Sequence, residues 1–370
     1  MRNDLGLGKD PATIGLLLFG LAAGAIVGLS CAARVLEGFG PRVGMLGSLL
    51  IASVGLGLAG VGSSFFHNIP TVALGLIVLG FGNGMVDVIM NVEGTAVERR
   101  RGKTLLPLMH ASFSMGTVTG GIVATALSAF HTPVIWHFGA IALISVGTAA
   151  IAVRSVPVEV DTATEPDRPK QAFGQRVREF VSVWADWRLV AIGLIMLGMA
   201  FGEGAANDWI PLATVDNHHQ SPAMGAAIFS IFVAAETLGR IVGGPIVDRV
   251  GRVWALQVTA AMGTLGLLLF INGSSLWMVI AATILWGLGI SLGFPLGMSA
   301  AAEGSDQPAR RVAAVASIGY FAFLVGPPLI GTLGAQFGLL NALYVIAALL
   351  IASFIAAPAA RAPQKLLANE

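Results

Sequence analysis

Long apolar stretches separated by short polar connectors dominate the chain from end to end. A helix needs about 20 apolar residues to cross the hydrocarbon layer of a bilayer. On that measure the pattern predicts eleven spans, at 12–33, 43–65, 69–91, 105–129, 133–153, 189–209, 223–247, 253–271, 276–301, 312–335 and 339–359. The predicted fold class is therefore an all-α polytopic membrane protein. The first span is not a secretory signal: no basic region precedes it, no small-residue cleavage site follows it, and ten further spans come after.

Lys and Arg concentrate in alternate connectors. One set holds Arg34 and Arg42; Arg99, Arg100, Arg101 and Lys103; the stretch from Arg154 to Arg188; Arg249 and Arg252; Arg310 and Arg311; and Arg361 with Lys365. The other set offers His67, Asn68, His131, Asp216, His218 and His219, with Arg2 and Lys9 as exceptions in the N-terminal stub. Cytoplasmic loops retain basic residues, so the first set is expected inside, in a bacterial inner membrane with the C-terminus cytoplasmic. Six of the 7 tryptophans (Trp136, Trp184, Trp187, Trp209, Trp254 and Trp277) fall at predicted span ends, where amphipathic rings favour the headgroup layer.

The longest polar stretch divides the chain into an N-terminal bundle (1–153), a linker (154–188) and a C-terminal six-helix bundle (189–370). Pro157, Glu159, Asp161, Glu165, Asp167, Pro169 and Lys170 read as a flexible segment. Phe173, Val177, Phe180, Val181, Trp184 and Trp187 follow at helical spacing, which predicts an amphipathic helix on the membrane surface.

Composition sharpens this picture. Charged residues make up 11% of the chain and hydrophobic ones 55%, whereas soluble domains carry roughly a quarter charged. So few charges cannot cover a soluble globule of this size. The 48 glycines read as close helix packing, including the Gly55-Leu56-Gly57-Leu58-Ala59-Gly60 run, which matches a dinucleotide fingerprint only by spacing. Cys31 is the single cysteine, so no internal disulfide or cysteine-based metal centre forms. No GxxxxGK[ST] loop, HExxH helix or catalytic triad is present, and neither an enzyme nor a cofactor is expected. A net charge of +1 gives no argument for nucleic acid.

Ionisable groups inside spans are expensive, so each is a candidate for function. Asn83, Asp87 and Asn91 recur every four residues and share one helix face; Asp87 is the first choice for a proton-coupling carboxylate, against a buried carboxylate tied to a neighbour. His110 is the second proton-coupling candidate, although a lone His bonded to a backbone carbonyl is commoner. Glu203 and Asn207, four apart, are candidates for substrate binding. Glu236 and Arg240 stand one turn apart and read as a mutual salt bridge, with a binding role open to Arg240. Trp286, in mid-span, can stack on a solute or simply pack.

Two short loops introduce a resemblance. Gly244-Pro245-Ile246-Val247-Asp248-Arg249-Val250-Gly251-Arg252 resembles the GxxxDRxGR loop of the major facilitator superfamily, and Ala33 to Arg42 is a degraded copy, with Glu37 in the place of Asp248 and Gly40 in the place of Gly251. Gly82 to Asn91, Glu98-Arg99-Arg100 and Pro107 to Gly116 resemble the fucose-permease-like branch and its YbjJ-type relatives. The resemblance implies the major facilitator fold of two helix bundles, and secondary transport by alternating access around a site near mid-membrane. It implies proton coupling with a sugar-like solute taken up or a small molecule expelled, in a monomer. Glu37, Gly40, Arg42, Gly244, Asp248, Arg249, Gly251 and Arg252 would then be gating-loop residues. The family has twelve helices, and residues 12–33 align with its second, so a reading frame that begins late is expected. A membrane sensor that kept the fold and lost transport is the alternative.

Overall fold

The computed structural model describes residues 5–7, 10–101, 106–130, 132–156, 182–303 and 308–361. All regular structure among them is helical. In the N-terminal half α1 is Pro11–Ser64, α2 Ile69–Arg101, α3 Leu106–Ala129 and α4 Val134–Ala152. In the C-terminal half α5 is Trp187–Asp216, α6 Pro222–Val250, α7 Arg252–Ile271, α8 Leu276–Ile290, α9 Gly293–Ala302, α10 Pro308–Phe337, α11 Leu339–Ala342 and α12 Tyr344–Ala356. Ten stretches among the described residues are long and apolar enough to cross a membrane, and a shorter apolar helix, Met115–Ala129, falls in the predicted fourth span. These eleven segments coincide with the predicted spans. The amphipathic surface helix predicted over 173–187 falls mostly outside the described residues.

Two compact units emerge, one comprising Met1–Gly116 with Ala126–Arg168 and the other Thr117–Thr125 with Pro169–Glu370. In the first, Leu17, Val72 and Leu76 of α1 and α2, with Leu5 from the segment before α1, form one buried cluster, and Ala32, Leu36, Met85 and Ile89 form another between α1 and α2. In the second, α5 is the central helix, its face of Ile192, Ile195, Met196, Met199 and Ala206 closed off from outside. Large apolar side chains such as Phe130, Leu143 and Trp277 stand outward, as lipid-facing positions must when the solvent is hydrocarbon.

Helix starts and reversals follow local chemistry. Asp10 caps α1 by accepting from the Ala12 and Thr13 amides at 3.0 and 3.4 Å, with Pro11 at the first helical position. The Thr13 hydroxyl donates to the same carboxylate and holds its pKa below the ordinary range. Ser221 and Pro222 start α6 in the same manner. The same number of residues then leads from Pro11 to Gly40 as from Pro222 to Gly251. Both glycines adopt a left-handed, extended-ψ conformation (φ 74°, ψ 169° and φ 82°, ψ 156°) that an L side chain strains to reach. This matches the two loop copies backbone for backbone: α1 is two spans hinged at Gly40, just as α6 and α7 are hinged at Gly251.

The glycine run at 55–60 is helix packing. A Cβ at Gly55 would lie 2.3 Å from the Leu79 amide nitrogen and 2.6 Å from the Gly75 carbonyl oxygen, so α1 and α2 meet backbone to backbone; Gly57 faces open space. The tryptophan reading holds for Trp136, Trp187, Trp254 and Trp277, all exposed at span ends, but not for Trp209, which is fully buried because α5 runs on to Asp216. We expect Gly55→Val to force α1 from α2 and cost about 1–3 kcal/mol, lowering the thermal unfolding midpoint in detergent. Gly57→Val should leave that midpoint unchanged. Equal effects from the two would contradict this packing.

Candidate functional site

On α2 the polar stripe is separated from the core by helical geometry. Met85 and Ile89 point into the interior while Asn83 and Asp87 are exposed. The Asn91 amide donates to the Asp87 backbone carbonyl at 2.9 Å and to its carboxylate at 3.2 Å, so these two residues are held together. Two positions further on lies Glu93, a buried carboxylate in the same helix that the sequence reading missed because it ended the span at residue 91. His110 lies on α3, and its side chain falls outside the described ones.

A second set of ionisable groups meets in the other unit. Arg240 on α6 donates to Glu236 one turn earlier and, at 3.2 Å, to Glu203 on α5. Glu203 sits near the middle of its span and Glu236 near the middle of its own. The predicted Glu236–Arg240 pair therefore forms, and Glu203 joins it; Asn207, expected beside Glu203, stands exposed one turn further out. Among the described residues this cluster holds two carboxylates against one guanidinium.

The surrounding helices approach closely. A Cβ at Gly239, next to Arg240, would lie 2.4 Å from the Ser291 hydroxyl, and one at Gly287 would lie 2.6 Å from the Phe232 carbonyl oxygen. Ser291 and Leu292 interrupt the predicted ninth span, splitting it into α8 and α9 at membrane depth, and the Ser291 hydroxyl turns back to the Leu288 carbonyl at 2.7 Å. Both residues keep right-handed backbone dihedrals, so the interruption is a turn within the helical path.

Trp286 belongs to packing in this conformation. Its side chain is 0% exposed, wedged edge-on against Phe232 and Phe270, both with ring centroids 5.7 Å away. No open ring face is left for a solute, and its indole nitrogen packs beside Gly202, the neighbour of Glu203. Beyond Phe270 the ring of His218 continues the aromatic contact at 5.0 Å, and burial there lowers the His218 pKa.

The basic connectors hold helix ends together. Arg42 donates to the Val156 carbonyl at 2.7 Å and to that of Arg154 at 3.1 Å, closing the end of the last span of its unit. Arg252 does likewise at the end of the other unit, donating to the Ala360 carbonyl at 3.3 Å and pairing with Glu303 at 2.6 Å. Arg188 adds bonds to the carbonyls of Ala359, Glu303 and Arg361. These carbonyls are the unsatisfied C-terminal acceptors of helices, where a cation is favoured. Arg42 and Arg252 thus brace their own units, a role that the gating-loop reading did not anticipate. Glu37, Gly244, Asp248 and Arg249 are exposed, and Glu37, Asp248 and Arg249 form no hydrogen bond or ion pair among the described residues.

Asp186, just before α5, caps the Arg188 amide at 2.9 Å and pairs with Arg311 at 2.7 Å. Burial pushes its pKa up, but the Arg311 and Arg188 bonds outweigh it and the net shift is downward. A depressed carboxylate pKa contributes stability above the unfolded-state value and loses it as pH falls through the folded-state value. Asp186→Asn should therefore lower the unfolding midpoint at neutral pH and converge with the unsubstituted protein in strong acid; a pH-independent difference would contradict the pairing.

The sequence profile of the Major Facilitator Superfamily matches residues 2–216 and 192–367, and the chain belongs to that family. It is 28% identical to the uncharacterized transporter y4wD of Sinorhizobium fredii over 87% of this chain and 82% of that one. Its fold is similar to that of a crystallised mutant of the nucleoside transporter NupG (TM-score 0.77, 13% identity, covering 96% of this chain and 93% of that one). It is also similar to the E. coli fucose:proton symporter FucP (TM-score 0.57, 14% identity, 97% and 100%). The chain is a multi-pass membrane transporter rather than an enzyme.

Proposed function

We propose that this transporter is a secondary carrier that moves a small polar solute across a bacterial inner membrane by alternating access, driven by protons. The observation that carries the reading is the Asn83–Asp87–Asn91 stripe, an ionisable group at membrane depth turned away from its own core and held by a neighbouring amide. Hydrocarbon cannot solvate such a group, at a cost of at least about 2.5–3.5 kcal/mol, so the stripe belongs against water or solute. Asp87 is the proton-coupling carboxylate in this proposal, with His110 as its relay, and Asn83, Asn91, Glu203, Asn207 and Arg240 offer polar contacts to the solute. The names of two fold neighbours, a nucleoside transporter and a fucose:proton symporter, support a hydroxyl-rich solute such as a sugar or nucleoside. Solute uptake and small-molecule efflux are both served by this arrangement. The basic connectors and the C-terminus lie on the cytoplasmic side, following the distribution of Lys and Arg.

Proteoliposomes with an imposed pH gradient test the proposal against labelled sugars, nucleosides and fluorescent cations. A gradient-driven flux of one of these is expected, falling about a hundredfold in Asp87→Asn, the low end of what a positioned proton-transfer group contributes. Binding of a probe without flux would instead identify a sensor that retains the carrier fold.

A further inference from the structure

We infer that Glu203 and Glu236 form a proton-binding site in the second unit, in which Arg240 neutralises one carboxylate and a single exchangeable proton neutralises the other. The inference deepens the proton-coupled reading above and rests on it, but places a proton on different residues.

Three observations carry it. The first is charge: two carboxylates converge on one guanidinium, leaving one negative charge over. The second is position. Glu203 and Glu236 stand near the midpoints of the spans Trp187–Asp216 and Pro222–Val250, the depth at which an uncompensated charge is least tolerated. The third is the lack, among the described side chains, of any other group to compensate. Of the helices packed against α6, α7 carries only Arg252, at its end, and α8 carries no titratable residue. α3, which meets α6 where a Cβ at Gly121 would lie 2.2 Å from the Ser230 hydroxyl, carries only His110, whose side chain lies outside the described ones. α6 itself adds Asp248 and Arg249, exposed at its far end. α5 adds Arg188, Asp208 and Asp216, of which Arg188 is committed to carbonyls at the far end. Neither aspartate supplies positive charge. Among the described residues, a proton is the remaining source of neutrality.

Accessibility gives the site a direction. Glu236 is 4% exposed, closed in by Phe232, Gly287 and the Ser291 break, whereas the Glu203 side chain keeps 21% and that of Arg240 36% of their surface. The proton enters from the Glu203 side. An aqueous acid gives up its proton, an O–H bond forms on one carboxylate, and Arg240 pairs fully with the other; release reverses these steps, with no redox change. A site of this sign favours a proton or a cationic group and repels an anionic solute.

Infrared difference spectroscopy of the full chain in nanodiscs, followed through a pH titration, reads the protonated carboxyl stretch directly. The unsubstituted protein should show a titrating component that belongs to this pair, distinct from that of Asp87. Glu236→Gln or Glu203→Gln should abolish it, because the remaining carboxylate then has Arg240 to itself. Asp208→Asn should leave it unchanged. Arg240→Gln should raise it about twofold, since both carboxylates lose their partner. Monodisperse elution and native helicity certify each variant; should a Gln variant aggregate, Glu236→Asp decides through a shifted midpoint. Survival of the signal in both Gln variants, an unmoved midpoint in Glu236→Asp, or no signal in the unsubstituted protein overturns the inference. Loss of the signal in Asp87→Asn alone also overturns it, while leaving the carrier reading standing.

Discussion

A bilayer offers no partner to a peptide group and almost none to a charge, and the structure of this chain is an answer to that constraint. The spans among the described residues satisfy their backbone internally as helix, save for the turn at Ser291 and Leu292. Charges are expelled to the connectors, where Arg42, Arg188 and Arg252 return them to use by closing the carbonyl ends of helices. Of the few charges left inside, Asp87 accepts a hydrogen bond from Asn91, and Glu203 and Glu236 share Arg240. With little hydrophobic difference between helix and lipid, the helices hold together through close approach, as at Gly55 with Gly75 and at Gly239 with Ser291.

Features carried by local pattern were legible in the sequence. Span number and position follow from apolar run length, and the eleven segments appear where hydropathy places them. The loop copies around Gly40 and Gly251 were aligned from residue identity, and their shared left-handed backbone gives that alignment a conformational basis. The Glu236–Arg240 pair was legible because one turn of helix separates the partners.

Features that depend on which helix faces which were not. Glu203 reaches Arg240 from another helix, and no periodicity within α5 encodes that contact. Trp209 looked like an interfacial anchor because the apolar run weakens there, yet α5 continues and buries it. Trp286 had the character of a stacking platform and became the centre of an aromatic wedge with Phe232 and Phe270. Glu93 was overlooked at a span boundary. Inside a Gly-rich apolar stretch, nothing in the residue pattern singled out Ser291 and Leu292 as the place where the helix breaks.

The two units consequently differ in their chemistry: the first carries a stripe of amides around one carboxylate, the second an ion-paired cluster with a charge to spare. Both readings rest on the proposal of repeated crossings with the basic connectors on one side. Single cysteines introduced near Thr162 and at His219, in a chain with Cys31 replaced, test this with an impermeant thiol reagent. In intact cells the position at His219 should react and the one near Thr162 should not, becoming reactive only after permeabilisation. Labelling near Thr162 from outside, or at neither site until the membrane is opened, would contradict the arrangement on which the rest depends.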